Sequence, residues 1–182
     1  MTKHFVSAQE LLEDSFHLAK LVEQSGFVPD LIVGIWRGGA PIALAVHEYL
    51  SFKGITSDHC CIGARSYSGI DQRSAVSLQD EERLLARLPT ARNILLVDDI
   101  FDTGRTMHAL LNSLAKHRQD GLHTVKFACP WYKPARNLTA LEPDYFLHTT
   151  DQWVVFPHEL LGLSEDDIAN GKSATLAALL SG

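Results

Sequence analysis

Leu95-Leu96-Val97-Asp98-Asp99-Ile100-Phe101-Asp102-Thr103-Gly104-Arg105-Thr106 decides how this chain is read. The apolar run, which starts at Asn93, predicts a strand buried on both faces that delivers two carboxylates and then a third. The Thr-Gly-x-Thr turn after it opens a helix predicted over 106–116. Glycine lets backbone approach a ligand closely, and a helix start offers unpaired N–H groups at the positive end of its dipole. Such a turn makes a phosphate cradle, to which the two threonine hydroxyls add donors. Carboxylates beside a phosphate repel it, so they need another task. Hydrogen-bonding sugar hydroxyls, holding a divalent cation and accepting a proton are the available ones. An acidic pair without the strand and turn would read equally well as helix capping.

Outward from that stretch, Leu31-Ile32-Val33-Gly34-Ile35-Trp36 is another continuous apolar run and predicts a buried strand. Residues 7–24 carry apolar side chains at helical spacing and stop near Gly26, and a helix over 41–51 has proline in its first turn. Further strands are predicted over 59–64, 125–130 and, briefly, 145–147. The polar stretch 66–79 has little periodicity and predicts a mobile loop. Strands alternating with helices imply an α/β fold, a doubly wound, mainly parallel sheet flanked by helices. Such sheets bind ligands beyond the carboxyl ends of their strands. Both Arg37-Gly38-Gly39 and the acidic turn fall there.

At 182 residues, with 46% hydrophobic and 21% charged side chains, the composition is that of one soluble globular domain. No apolar run approaches the roughly 18 residues that span a bilayer. Met1-Thr2-Lys3-His4 lacks the features of a signal peptide, so a cytoplasmic protein with no membrane partner is expected. Three cysteines, two of them the neighbours Cys60 and Cys61, make no disulfide framework, and no zinc-ligand spacing accompanies them. Reduced thiols are expected. A formal charge of −6 argues against nucleic acid as a general partner, but not against a small polyanion met by local cations or a metal.

The stretch 97–106 closely resembles the phosphoribosyl pyrophosphate signature of type I phosphoribosyltransferases. The resemblance implies that fold over 1–182, with a core at about 28–130 and a small hood for the base from about 131–163 plus the N-terminal segment. It implies that Asp98 and Asp99 hold the ribose hydroxyls, directly or through Mg²⁺, and that Asp102, Thr103, Gly104, Arg105 and Thr106 wrap the 5-phosphate. Asp102 would also accept the proton from N7 of a purine. Gly34 to Gly39 resembles the pyrophosphate loop. There Arg37 would grip and stabilise the leaving group, Gly38 and Gly39 would expose amides, and a non-proline cis peptide would join Trp36 to Arg37. Ser66-Tyr67 is similar to the start of the flexible loop that closes over the reacting centre.

Lys133-Pro134-Ala135 and the stretch 151–157 resemble the 6-oxopurine branch, the hypoxanthine and xanthine–guanine types. Lys133 would donate to the purine 6-oxo group, Trp153 would stack on the ring, and the Val154 backbone would read the base edge. The implied cofactor is Mg²⁺, with Asp98, Asp99 and Glu159 as its ligands. The implied substrates are phosphoribosyl pyrophosphate and a purine base, and the implied assembly is a homodimer or homotetramer. Three rival readings remain on the sequence: a nucleotide-sensing regulatory protein of the same fold, a pyrimidine phosphoribosyltransferase, and a phosphoaccepting receiver domain. The receiver places its acid pair after the first strand, not a later one. Residues 164–182 carry no diagnostic pattern, and the preferred purine is left open.

Overall fold

The computed structural model describes residues 2–66, 76–117 and 124–180. In chain order the elements are β1 (Lys3–Phe5), α1 (Ala8–Gln24), β2 (Leu31–Trp36), α2 (Gly39–Phe52), β3 (Asp58–Ser66), β4 (Val76–Gln79), α3 (Glu81–Leu85), β5 (Asn93–Val97), β6 (Ile100–Phe101) and α4 (Arg105–Lys116). There follow β7 (Thr124–Ala128), β8 (Trp131–Tyr132), a 3₁₀ turn (Pro134–Arg136), β9 (His148–Thr149), β10 (Trp153–Val155), α5 (Glu165–Gly171) and α6 (Ala174–Leu180). The chain divides into two units, residues 14–151 and residues 1–13 with 152–182.

The unit 14–151 is built on a five-stranded sheet of order β4-β3-β2-β5-β7. All pairs are parallel except β3–β4. β2 and β5 lie side by side inside it, and Val33, Ile35, Leu95, Leu96 and Val97 are buried. A strand covered on both faces has no solvent side, which is why both read as unbroken apolar runs rather than alternating ones. The core continues through Ile62, Leu110 and Phe127. A second, three-stranded parallel sheet, β6-β8-β9, leaves the carboxyl end of this core. In the other unit β1 pairs in parallel with β10, in the register Lys3↔Trp153.

Local chemistry sets several element ends. Glu10 N–H donates to Ser7 Oγ at 3.1 Å and Ser7 N–H to Glu10 Oε2 at 3.3 Å, a capping box that starts α1 at Ala8. The stretch 76–79, expected to be part of a loop, is instead β4. Its pairing with β3 through Ala64↔Leu78 and Arg65↔Ser77 supplies the order that four residues of weak alternation could not announce. Residues 67–75 lie outside the described residues. The strand expected over 145–147 forms at β9 instead, and Tyr145 makes only an isolated bridge to Ala128. The three cysteines are free, Cys60 buried and its neighbour Cys61 exposed on the opposite side of β3. Among the described residues no helix is long and apolar enough to cross a membrane.

The register Gly34↔Val97 places the carboxyl ends of β2 and β5 side by side. The loops leaving them meet so closely that a Cβ on Gly39 would overlap the Val97 carbonyl oxygen and the Asp98 Cα. Backbone cannot yield there as a flexible side chain would. Gly39→Ala is expected to cost about 1–3 kcal/mol, lowering Tm in a thermal melt by about 3–10 °C. An unchanged Tm would show that the two loops do not approach so closely.

Candidate active site

The loop after β5 lines a cavity of about 290 Å³ with Asp98, Asp99, Asp102, Thr103, Gly104 and Thr106, with Phe127 behind them. Gly104 takes φ 77° at the start of α4, a left-handed value that favours glycine, and the Thr139 side chain fills the space a Cβ would need. Leu138 N–H donates to the Thr103 carbonyl at 3.1 Å, which ties the turn down from outside. Arg105 begins α4, so the turn enters a twelve-residue helix at its positive end.

Asp99 N–H donates to Asp98 Oδ1 at 3.0 Å. Burial pushes the Asp98 carboxyl well above the usual carboxylate range and the neighbouring Asp99 charge adds to this, while the Asp99 amide opposes it. Such a pair is relieved by hydroxyl donors or by a divalent cation. Two hard oxygen donors fit Mg²⁺ better than a soft metal. Among the described residues no cluster of three or more His, Cys, Asp or Glu side chains could by itself hold a metal ion.

The Arg37-Gly38-Gly39 loop stands against this pair, because a Cβ on Gly38 would overlap the Asp99 carboxylate. The Trp36–Arg37 peptide is cis, as the family resemblance implies. Arg37 is exposed and, with Trp36, Gly63, Ala64, Arg65 and Gln79, lines a second cavity of about 320 Å³. Arg65 escaped the sequence reading. Only its place at the carboxyl end of β3, beside the β2 loop, would have identified it.

Asp102 and Lys133, 31 positions apart in the chain, come together through the small sheet. β6 pairs with β8 as Ile100↔Trp131 and Phe101↔Tyr132, so Asp102 and Lys133 are the next residues in register, and Lys133 N–H donates to the Phe101 carbonyl at 2.9 Å. Lys133 is only 4% exposed, with its Nζ 4.0 Å from Asp102 Oδ2. Arg136 Nε stands 2.9 Å from Asp102 Oδ1, an ion pair without hydrogen-bond alignment, and was also missed from sequence. β9 braces β8 from behind. The His148 ring lies against Trp131, tilted by 34° with ring centroids 4.5 Å apart, and its Nε2 is 2.8 Å from Asp14 Oδ2.

Trp153, Val154 and Glu159 belong to the other unit. Trp153 opens β10 and is half-exposed, and Val154 is buried beside it. Glu159 Oε2 accepts from Phe156 N–H at 3.1 Å, so the carboxylate is engaged in its own turn. Ser66 closes β3, and Tyr67 lies outside the described residues.

A family model described as a phosphoribosyl transferase domain matches residues 5–161. The hypoxanthine-guanine phosphoribosyltransferase of Lactococcus lactis subsp. lactis (strain IL1403) is 32% identical over 148 residues, 79% of this chain and 74% of the relative. That of Streptococcus pyogenes serotype M3 (strain ATCC BAA-595 / MGAS315) is 29% identical over 63% of this chain and 59% of its own length. Among solved structures, the Helicobacter pylori xanthine-guanine-hypoxanthine phosphoribosyltransferase superposes over the whole of both chains, with TM-score 0.69 and 25% identity. The purine phosphoribosyltransferase of Pyrococcus horikoshii Ot3 shares the fold, with TM-score 0.67 at 24% identity over 90% of this chain and 98% of that one. On the family model over residues 5–161 and these relatives, the chain belongs to the phosphoribosyltransferase family as a purine-salvage enzyme that transfers the phosphoribosyl group of phosphoribosyl pyrophosphate to a base.

Proposed function

We propose that the base is a 6-oxopurine (hypoxanthine, guanine or xanthine), joined at N9 to give the nucleoside monophosphate and pyrophosphate. One observation carries this reading: a buried ammonium, Lys133 Nζ, 4.0 Å from the Asp102 carboxylate. A free 6-oxopurine presents a carbonyl oxygen beside N7–H on one edge. The ammonium donates to the oxygen and the carboxylate accepts from N7–H. Adenine would set its 6-amino donor against the ammonium, and a buried donor left unpaired is costly. The names of the Lactococcus and Helicobacter relatives agree with this choice.

The remaining roles follow from the chemistry of each group. The amides and hydroxyls of 103–106 hold the 5-phosphate, Asp98 and Asp99 orient the ribose hydroxyls, and Arg37 with the Gly38 and Gly39 amides grips the pyrophosphate. Asp98 and Asp99, with Glu159 as a third candidate ligand, would hold Mg²⁺, which would supply neutralising charge to the leaving group. As the C1–O bond breaks, its electron pair leaves with the pyrophosphate, and the Arg37 guanidinium stabilises that charge. The N9 lone pair closes the new bond on the opposite face of C1, and Asp102 takes the N7 proton. Trp153 offers a stacking face, and the Val154 backbone reads the base edge. A cytoplasmic homodimer or homotetramer remains part of this proposal.

A spectrophotometric panel of free bases with phosphoribosyl pyrophosphate and Mg²⁺ tests the reading. Hypoxanthine, guanine or xanthine is expected to turn over with kcat/KM at least about 100-fold above adenine and orotate. Lys133→Met is expected to raise KM for the preferred base about 10–100-fold, the cost of losing a charged hydrogen bond, and to leave KM for phosphoribosyl pyrophosphate within about twofold. Comparable turnover of adenine would overturn the assignment.

The raised Asp98 carboxyl makes a second prediction. An acid whose folded pKa lies above its unfolded value favours folding most at low pH, and loses that advantage as pH rises through the raised value. At pH 7.5 without ligand, Asp98→Asn is therefore expected to raise Tm by about 2–4 °C, a gap that closes as pH falls toward about 4. In the same variant kcat/KM should drop by about 100-fold or more. A lowered Tm at pH 7.5 would contradict the account of this carboxyl.

A further inference from the structure

The segment after residue 163 holds no part of the site described above, and the matched family model stops at residue 161 and starts at residue 5. Yet three of its residues reach back to β1, the partner of the strand that carries Trp153, or to the residues just past that strand. Asp167 Oδ2 accepts from Lys3 Nζ at 2.5 Å, and that Nζ stands 5.0 Å from the centroid of the Trp153 ring. Lys3 is also the register partner of Trp153 across β1 and β10. Gly171 packs so tightly on Phe5 that a Cβ there would overlap its ring. Lys172 Nζ donates to the carbonyls of Phe156 at 2.7 Å and Pro157 at 3.2 Å, just past β10.

We propose that this tail is a positioning device for the base: Asp167 on α5 fixes Lys3, and Lys3 fixes the plane of the Trp153 indole against which the purine stacks. The proposal rests on the reading of Trp153 as the stacking residue. A parallel ladder of two three-residue strands is marginal by itself in water, so contacts beyond the ladder must order Trp153. An ammonium over one indole face is attracted by the ring and so restrains its orientation. A ring already held in place loses less freedom when the base arrives.

Asp167 suits the task because its own orientation is fixed. Ser164 donates to Asp167 Oδ2 from both its N–H and its Oγ, each at 2.8 Å, and Asp167 N–H returns a bond to Ser164 Oγ at 3.2 Å. The Lys3 ammonium, helped by these Ser164 donors, holds the Asp167 carboxyl down to about 2, so the anion persists at every pH at which the enzyme would be assayed.

Steady-state kinetics on the full chain separates the possibilities, using Lys3→Met, Lys3→Arg, Asp167→Asn and Trp153→Leu. Lys3→Met and Asp167→Asn are expected to raise KM for the base about threefold to tenfold, with kcat and KM for phosphoribosyl pyrophosphate within about twofold. Lys3→Arg, which keeps the cation, is expected to retain the base KM within about twofold. If Trp153→Leu raises the base KM while Lys3→Met and Asp167→Asn do not, the tail proposal is overturned and the stacking role stands. If Trp153→Leu leaves the base KM unchanged, the stacking role fails and the tail proposal with it. Equal losses for both substrates in Lys3→Met and Asp167→Asn, with lowered melting temperatures, would show a merely structural brace and also overturn it.

Discussion

Two glycines in succession let the loop after β2 lie directly on the loop after β5. Gly38 has no room for a side chain because the Asp99 carboxylate occupies that space, and Gly39 has none because the Val97 carbonyl does. Parallel pairing of β2 with β5 carries both loops to the same edge of the sheet, and the missing Cβ atoms let them close the remaining gap. The loop that bears the Arg37 guanidinium and the loop that bears two carboxylates are thereby brought together at one end of the sheet. Burial, and then the neighbouring Asp99 charge, pushes the Asp98 carboxyl above the usual carboxylate range.

The second constraint is the register of the small sheet. β6 and β8 are two residues each, too short to be stable alone, yet they set Asp102 and Lys133 as consecutive partners. Phe101 and Tyr132 pack edge-on with centroids 5.4 Å apart beneath them, and the Asp14–His148 pair holds the outer strand. The chain as a whole is acidic at −6, but Arg37 and Arg65 line one cavity, and Lys133 and Arg136 flank the carboxylate beside the other. These cationic side chains are thus gathered at the two cavities although the chain as a whole is acidic.

Much of this was legible in the sequence because it rests on long or chemically distinctive runs. β2 and β5 were bounded residue for residue, since strands buried on both faces are uninterrupted apolar stretches. The acidic turn was legible because aspartates, threonines and a glycine in that order have few other uses. β4, β6, β8 and β9 were not legible as placed, since two to four residues carry too little periodicity and their order comes from partners far along the chain. Arg65 and Arg136 were missed for the same reason: an isolated arginine resembles any solvated surface charge until the sheet shows what stands beside it. Lys3 and Asp167 were more remote still, 164 positions apart, and only the folded chain brings them to Trp153.

A crystal structure with bound inosine 5′-monophosphate tests the central claim most directly. The account predicts phosphate oxygens on the amides and hydroxyls of 103–106, ribose hydroxyls on Asp98 and Asp99, and the hypoxanthine carbonyl oxygen on Lys133 Nζ. A nucleotide bound elsewhere with that turn empty, or one whose base oxygen points away from Lys133, would contradict it.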